Sequence, residues 1–398
     1  MTLVARDPRA PFSLAAGPAA ADRRASGYDR VLIVTALALS LFGAVLVWAA
    51  TRDVARANGT NPQGYLYRHL LDMAIAAVLL VLASRLDARL LRLFGPIMYV
   101  GSLLGLLAVF AVGSTVNGAH AWIRLGGGFE LQPSEFMKLG MIVGMAVLFT
   151  QRGADRPERV PPPTSDVLLA IGLVALPLGL VMLQPDLGSA MVLAAAAFGV
   201  LVAAGVRARW TVGLLVLGVV GAVLAVKAGM LADYQLARFT SFTHPSHDTQ
   251  GAAYNVTQAH IAIHNGGLFG TGLFRGPQTN GGFVPEQQTD FVFSVAGEEF
   301  GLVGGAAIIA LFGVLCWRGL RIARAADPAG RLVAVGVVCW LAFQAFQNIG
   351  MNLGLTPVTG LPLPFVSYGG SSMFAQGLAI GLLLAVHRRS SDMGSISS

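Results

Sequence analysis

The chain has 398 residues, of which 55% are hydrophobic and 12% are charged, and its mean hydropathy is +0.67. Soluble globular domains carry about 25% charged residues, so this composition excludes a soluble protein and predicts one embedded in a membrane. The formal net charge is +7, but the arginines lie in short segments between apolar runs, which argues against a nucleic-acid-binding surface. The two cysteines lie inside apolar segments, so no disulfide framework or cysteine-based metal site is predicted.

Ten apolar segments are candidates for helices that cross a bilayer, which takes about 20 residues. They are residues 31–51, 69–84, 93–113, 132–150, 167–184, 187–205, 210–230, 291–317, 332–352 and 372–387. The second segment is the weakest, because Asp72 lies within it. We predict an all-α polytopic membrane protein in which a disordered tail (1–30) precedes a ten-helix domain (31–388) and a short tail (389–398) follows it.

The short loops predict the orientation, because arginine and lysine are enriched on the cytoplasmic side of a membrane. With the N-terminus inside, every predicted inner segment carries at least two arginines, and the C-terminus is also cytoplasmic. The predicted outer segments are 52–68, 114–131, 184–187, the large loop 231–289 between helices seven and eight, and 353–371.

The stretch 283–301 closes the large loop and opens an apolar helix, with Asp290 at the junction and Glu298 and Glu299 two turns deeper. A charged side chain at the bilayer centre costs roughly 2.5–3.5 kcal/mol on insertion scales, so a sequence with three carboxylates here has a use for them. Two interpretations stand: the glutamates cap or pair with neighbouring helices, or the carboxylates line a functional cavity.

Three other polar features lie on the predicted outer side. Glu135 and Lys138 share one face of the fourth helix, which fits either an internal ion pair or the polar wall of a cavity. Trp122 with Arg124 fits either an interfacial anchor or a platform for a sugar ring beside a phosphate. Asp186 can cap the sixth helix through its backbone N–H groups, and capping does not prevent it from lining a cavity.

The loops carry further predictions. The density of proline and glycine in 356–372 forbids a regular helix, and such backbone at membrane depth needs burial in protein or contact with water, so we predict a re-entrant, cavity-lining loop. In the large loop, 254–263 predicts an amphipathic helix on the membrane surface, and 265–273 predicts a flexible hinge. Arg238 and Arg275 are its cations for phosphate or lipid headgroups, whereas its histidines lack the spacing of a metal site and are predicted to be solvated.

No P-loop or dinucleotide-binding fingerprint is present. We therefore predict no organic cofactor and a substrate that arrives already activated. The sequence also has no clear internal repeat, which weighs against a secondary transporter built from inverted halves.

Five motifs together resemble the shape, elongation, division and sporulation family of bacterial cell-wall polymerases. They are Gly-Ala-x-x-Trp-Ile-x-Leu-Gly (118–126) with Gln-Pro-Ser-Glu (132–135), Gln-Pro-Asp-Leu-Gly (184–188), Pro-Glu-x-x-Thr-Asp-Phe-x-Phe-Ser (285–294), Gly-Glu-Glu (297–299) and Pro-Phe-Val-Ser-Tyr-Gly-Gly-Ser-Ser (364–372). The resemblance covers roughly residues 30–388 in order. Within the family, Asn-Ile-Gly-Met (348–351) is more similar to the RodA branch than to the FtsW branch.

The resemblance implies a glycosyltransferase that polymerises lipid II into β-1,4 glycan strands on the outer face of the bacterial plasma membrane during cell elongation. The reaction releases undecaprenyl pyrophosphate. The implied partners are a class B penicillin-binding protein, as a separate transpeptidase chain, and the elongation or division machinery, with no nucleic acid. Asp290 matches the essential acid of the family, and Trp122 matches its conserved tryptophan. Gln288 stands where many relatives have histidine, which argues against a catalytic duty for that histidine.

These inferences give a set of predicted site residues. Asp290 is the predicted general base, and the predicted substrate contacts are Trp122, Arg124, Gln132, Glu135, Lys138, Asp186, Arg238, Arg275, Glu286, Glu298, Ser367 and Ser371. The departing pyrophosphate needs positive charge. The candidates for this charge are the four cations of the set, Arg124, Lys138, Arg238 and Arg275, or a divalent metal (Mg²⁺ or Mn²⁺) held by carboxylates.

Two rival functions explain part of the pattern. A lipid II flippase without chemistry accounts equally well for the cavity and the intramembrane charges, but it lacks a matching polar wall at the cytoplasmic helix ends. A silent scaffold that recruits the transpeptidase predicts no need for the Asp290 carboxylate.

Overall fold

The structure, a computed structural model, describes residues 27–116, 119–126, 129–154, 160–227 and 251–396. Its helices are α1 (Arg30–Ala57), α2 (Gly64–Ser84), α3 (Ala88–Val112), α4 (Pro133–Arg152), α5 (Thr164–Leu183), α6 (Leu187–Ala203), α7 (Ala208–Lys227), α8 (Ala252–Gly266), α9 (Pro277–Gly281), α10 (Val292–Ala325), α11 (Pro328–Asn352) and α12 (Gly370–Ile396). Most of the predicted N-terminal tail and the predicted site residue Arg238 lie outside the described residues.

The helices agree closely with the predicted spans. Within the described ranges, eight helices are long and apolar enough to cross a membrane, and α6 and α7 are shorter apolar helices at the positions of the predicted sixth and seventh spans. The count of ten spans therefore stays a prediction, whereas a multi-pass membrane protein is confirmed. The predicted C-terminal tail is largely helical, because α12 continues to Ile396.

The helices α4, α11 and α12 form the centre of the bundle and are its most buried long helices, whereas α2, α3 and α5 expose many leucine and valine side chains. Close contact between α2 and α12 depends on two glycines one turn apart. A Cβ added at Gly377 would lie 2.5 Å from the carbonyl oxygen of Ala76, and one at Gly381 would lie 2.5 Å from that of Leu80. Small residues of this kind allow membrane helices to approach with backbone in contact.

The helix α10 is interrupted at Gly301, whose backbone has φ +66° and ψ −160°. At this break the backbone of α10 is free to form hydrogen bonds with residues 266–272, which begin at the last residue of α8. Thr271 and Gly272 donate their N–H groups to the carbonyls of Glu298 and Glu299 at 2.9 and 3.1 Å, and Leu302 donates to Gly267 at 2.9 Å. The prediction of a flexible hinge at 265–273 is therefore corrected, because backbone hydrogen bonds hold this segment against α10.

The helix predicted over 254–263 in the large loop is present as α8, whereas its location on the membrane surface stays a prediction. It packs against α10, and its Ile263 side chain lies beside Gly297.

A small antiparallel sheet occupies the segment that we had predicted only as an outer loop. Its strands are β1 (Ser114–Val116), β2 (Ala119–Gly126) and β3 (Phe129–Leu131), in the order β1-β2-β3, with Ser114 opposite Trp122 and Arg124 opposite Glu130. The backbone N–H of His120 donates to the carbonyl of Gln184, which ties the sheet to the end of α5.

Candidate functional site

A cavity of about 420 Å³ lies at the end of the bundle where α2, α4, α6, α10 and α12 begin. Parts of all five predicted outer segments contribute to it. Its lining consists of Tyr65, Arg68, Leu71, Asp72, Ala119, Trp122, Phe129, Glu130, Gln132, Glu135, Pro185, Asp186, Leu187, Ser189, Glu286, Gln288, Thr289, Asp290, Thr359, Gly360, Leu361, Pro362, Tyr368, Gly369, Gly370 and Ser372. Six predicted site residues, distant in sequence, are thereby brought together: Trp122, Gln132, Glu135, Asp186, Glu286 and Asp290.

Asp290 is half-buried in this lining and is held by its backbone. Its carbonyl oxygen accepts hydrogen bonds from the side-chain amides of Asn348 at 2.8 Å and Asn352 at 3.1 Å. The Oδ1 of Asn352 accepts at 3.1 Å from the backbone N–H of Ser294, in the first turn of α10, which also donates to the carbonyl of Phe291 at 3.0 Å. The two asparagines of α11 thus fix where α10 begins and where the carboxylate before it stands.

The chain before Asp290 turns sharply at Glu286, whose φ is +53°. A positive φ at a residue other than glycine costs of order 1–3 kcal/mol and is concentrated at functional sites. The carboxylate of Glu286 accepts from the amide of Gln288 and the hydroxyl of Thr289, both at 3.2 Å. Glu286 therefore stands at the cavity wall in a defined orientation, next to the turn that carries Asp290.

The predicted re-entrant loop between α11 and α12 lines the cavity and holds this turn from the other side. Tyr368 donates its N–H to the carbonyl of Gln288 at 2.9 Å, and the hydroxyl of Ser367 donates to the carbonyl of Thr289. Ser367 also accepts from the N–H of Leu363 at 2.8 Å. Its hydroxyl is thus engaged within the protein, and Ser367 is not part of the cavity lining.

Ser371 has a similar position at the start of α12. Its hydroxyl donates to the carbonyl of Glu130 at 2.7 Å and accepts from the N–H of Gln132 at 3.1 Å. The residue is 1% exposed and joins β3 to α12 rather than facing the cavity.

Gln132 and Asp186 form one polar unit of the cavity wall. The amide of Gln132 donates to Oδ2 of Asp186 at 2.9 Å, and Oδ1 of Asp186 accepts from the N–H of Ser189 at 2.9 Å. Asp186 therefore caps α6, as predicted, and also lines the cavity. Pro133 occupies the first turn of α4, with Gln132 at the N-cap position.

Glu135 and Lys138 form an ion pair inside the protein. Nζ of Lys138 lies 2.6 Å from Oε1 of Glu135 and 3.1 Å from the side-chain oxygen of Gln344, and its ammonium lies 5.2 Å from the ring of Trp340. Lys138 is 0% exposed and does not line the cavity, so its side chain does not stand where the predicted substrate contact requires it. Glu135 does line the cavity, and its Oε2 has no hydrogen-bond partner among the described residues.

Three further predicted site residues lie elsewhere. Arg124 is exposed and pairs with Glu130 at 3.3 Å across the sheet, and Arg275 is exposed and absent from the cavity lining. The prediction that Glu298 contacts the substrate is corrected by the structure, because both carboxylate oxygens accept hydrogen bonds from α9. Oε1 accepts from the N–H of Gln278 at 2.9 Å, and Oε2 accepts from that of Thr279 at 2.8 Å. For Glu298 the capping interpretation describes the structure.

Helix α2 contributes cavity residues that are not among the predicted site residues. Arg68 and Asp72 line the cavity, as does Tyr65, whose ring lies 5.2 Å from that of Tyr368. The carboxylate of Asp72 lies against Gly370, where α12 begins. A charged residue inside a membrane helix is by default a candidate for function, so the position of Asp72 in the second predicted span is a sequence signal for this contribution.

The cavity is rich in carboxylates but offers no ready metal site. Among the described residues, no group of three or more histidine, cysteine, aspartate or glutamate side chains could hold a metal ion. The divalent cation therefore stays a prediction.

Comparison with known proteins agrees with the fold and the motifs. The family model described as "Cell cycle protein", which covers FtsW, RodA and SpoVE, matches residues 29–392. The "Probable peptidoglycan glycosyltransferase FtsW" of Geobacter metallireducens is 38% identical over 365 residues, which is 91% of this chain and 95% of that protein. Stage V sporulation protein E of Bacillus subtilis is 36% identical over 365 residues, 91% of this chain and 97% of that protein.

Two solved structures extend the comparison. A chain of a peptidoglycan synthase complex matches with a TM-score of 0.73 and 32% identity, over 92% of this chain and 98% of that chain. The rod shape determining protein RodA of Thermus thermophilus matches with a TM-score of 0.66 and 32% identity, over 91% of this chain and 97% of that chain. Because these relatives carry three different names, closeness to the RodA branch stays a prediction. The chain belongs to the FtsW, RodA and SpoVE family of membrane proteins.

Proposed function

We propose that this protein is a peptidoglycan glycosyltransferase that polymerises lipid II into β-1,4 glycan strands on the outer membrane face. The observation that carries the proposal is the position of Asp290, whose backbone two buried asparagines hold at the wall of a polar cavity. Relatives named as peptidoglycan glycosyltransferases, similar over nine-tenths of the chain, support the same chemistry.

In the proposed reaction, the 4-hydroxyl of a GlcNAc attacks the anomeric carbon of a MurNAc that carries a prenyl pyrophosphate. The carboxylate of Asp290 takes the hydroxyl proton while the new C–O bond forms. The bond from the anomeric carbon to the phosphate oxygen breaks with its electron pair, so undecaprenyl pyrophosphate leaves and the α-linked donor gives a β-linked product. A positioned general base of this kind contributes roughly 10²–10⁴-fold in rate.

The leaving pyrophosphate requires positive charge near the reacting carbon. Of the predicted cations, Lys138 is buried in its own ion pair and Arg124 is exposed on the sheet. Arg68 is the one lysine or arginine in the described lining of the cavity. We therefore assign the stabilisation of the pyrophosphate to Arg68, together with any contribution from Arg238.

The wider setting rests on the resemblance. We propose that the enzyme acts in cell elongation, with both termini in the cytoplasm and a class B penicillin-binding protein as its separate transpeptidase. The matched structure of a peptidoglycan synthase complex supports a partner of this kind.

The direct test supplies labelled lipid II in detergent to the purified protein with its transpeptidase partner. We expect glycan strands from the wild type and none from Asp290→Ala. Detergent removes the two sides of the membrane, so a flippase would give no product here yet would move lipid II across vesicles. That pair of results would overturn the proposal.

A further inference from the structure

A second groove leaves the central cavity between two parts of the chain: the α1–α2 connection with its flanking turns, and residues 282–288. This side groove has a volume of about 560 Å³. It is lined by Ala50, Thr51, Val54, Ala55, Asn58, Thr60, Asn61, Gly64, Tyr65, Arg68, Gly282, Val284, Pro285, Glu286, Gln287 and Gln288. Tyr65, Arg68, Glu286 and Gln288 line both spaces, so the side groove is continuous with the site of the proposed reaction.

The lining of the side groove mixes apolar and polar side chains and is largely uncharged. Its charged side chains, Arg68 and Glu286, stand at the junction with the central cavity, and the remainder offers carboxamides from Asn58, Asn61 and Gln287. A carboxamide presents both hydrogen-bond donors and an acceptor, as a sugar hydroxyl requires. Such a surface suits a neutral saccharide better than a phosphate, a metal ion or a prenyl chain.

Gln287 supplies an independent sign of a missing partner. The residue is 3% exposed, and its side-chain N–H groups donate to the carbonyls of Ala50 and Thr279. The side-chain oxygen Oε1 is buried without a hydrogen-bond partner among the described residues. Buried acceptors are almost always satisfied by protein or by ordered water, so this oxygen takes a donor that the described residues do not supply.

We propose that the side groove binds the sugars of the glycan strand that are already joined, next to the pair that is reacting. This inference rests on the proposed polymerase function and adds a path for its product. A strand held there stays aligned with Asp290 between additions, so the groove favours further elongation over release. The occupant is a neutral polysaccharide whose hydroxyl groups face the carboxamides of Asn58 and Asn61, with the unpaired oxygen of Gln287 buried behind the groove wall.

Asn58 gives a specific way to block the groove. It is exposed at the end of α1, its backbone angles of φ −86° and ψ 4° suit any L-residue, and its side chain makes no hydrogen bond to a described residue. Asn58→Trp adds bulk inside the groove, whereas Ala57→Trp adds the same bulk at an exposed neighbour that does not line it. Asn58→Ala removes the carboxamide and leaves the groove open.

The experiment measures the length distribution of glycan strands made from labelled lipid II by the protein with its partner. We expect strands several-fold shorter from Asn58→Trp and moderately shorter from Asn58→Ala, with Ala57→Trp like the wild type. First-bond formation, seen as a lipid-linked tetrasaccharide, persists in both Asn58 variants. If Asn58→Trp is not folded by its thermal unfolding profile, Asn58→Ala decides.

Three outcomes separate the two proposals. Strands shortened by the Asn58 variants alone support the groove. Equal strand lengths in folded Asn58 variants and Ala57→Trp overturn the groove and leave the polymerase intact. A folded wild type that joins no sugars at all overturns both.

Discussion

Asp290 depends on two side chains that are distant from it in sequence. Asn348 and Asn352 lie one turn apart on α11, and both donate to the Asp290 carbonyl. The partner of these asparagines is not predictable from the sequence, because it lies 58 and 62 positions away. By contrast, Asp290 itself is predictable from the sequence. A carboxylate beside an apolar membrane helix costs free energy of insertion, so its presence indicates a functional site.

Replacing Asn352 tests this positioning. Asn352→Ala removes one of the two side-chain hydrogen bonds to the Asp290 carbonyl and leaves the Ser294 N–H bonded only to the carbonyl of Phe291. Two lost hydrogen bonds correspond to a loss of about 1–3 kcal/mol in stability. Because small misplacements of a catalytic group cost up to about 10²-fold, we also expect kcat for glycan formation to fall by about 10- to 100-fold.

The matched control is Gln347→Ala on the same helix. Its buried amide donates to the carbonyl of Pro357 at 3.1 Å and does not touch Asp290. Thermal unfolding should show comparable losses for both variants, with activity reduced only in Asn352→Ala. Equal kcat in the two variants would refute the positioning role.

Helices are predictable from the sequence where the apolar pattern is long. Short strands and helix breaks are less predictable, because contacts between distant parts of the chain determine them. The apolar helices lie where the hydrophobic runs predict them. The sheet between 114 and 131 is short and glycine-rich, and only its middle strand alternates, with Ala119, Ala121 and Ile123 separated by His120 and Trp122. The break in α10 was equally hidden, because Gly301 lies in a sequence that reads as uninterrupted helix. What fixes it is the close approach of residues 266–272, a contact between distant parts of the chain.

The break makes a sharp prediction about Gly301. A Cβ there would lie 2.4 Å from the Gly270 nitrogen and 2.6 Å from the Leu268 carbonyl oxygen, and φ is +66°. The backbone conformation alone costs of order 1–3 kcal/mol for an L-residue, so Gly301→Ala should lower the midpoint of thermal unfolding clearly.

Gly313→Ala is the control on the same helix. A Cβ at Gly313 meets nothing within 4 Å, and alanine is favoured over glycine inside a helix by roughly 0.5–1 kcal/mol. We expect an unchanged or raised midpoint. A Gly301→Ala variant as stable as Gly313→Ala would contradict the account of the break.

At the scale of the whole molecule, the predicted outer segments meet around one cavity, while arginines such as Arg152, Arg318 and Arg389 gather at the opposite helix ends. This arrangement agrees with alternating crossings of the membrane. The end that faces outward is predicted from the arginines, because lysine and arginine are enriched in the cytoplasmic loops of membrane proteins.

Cysteine labelling tests that orientation. In a variant without Cys316 and Cys339, Asn58→Cys lies at the cavity end and Val160→Cys at the arginine-rich end, both exposed. An impermeant maleimide applied to intact spheroplasts should label Asn58→Cys, whereas Val160→Cys should react only after lysis. The reverse pattern would place the cavity in the cytoplasm.

The central claim is that the carboxylate of Asp290 removes the proton from the attacking sugar hydroxyl. The most direct measurement compares initial rates of glycan formation from labelled lipid II for wild type and Asp290→Asn, both with the transpeptidase partner and both shown to be folded. The amide keeps the size of the side chain but cannot act as a base, so we predict a rate at least about 10²-fold lower. A folded Asp290→Asn enzyme that forms strands at the wild-type rate would contradict the account.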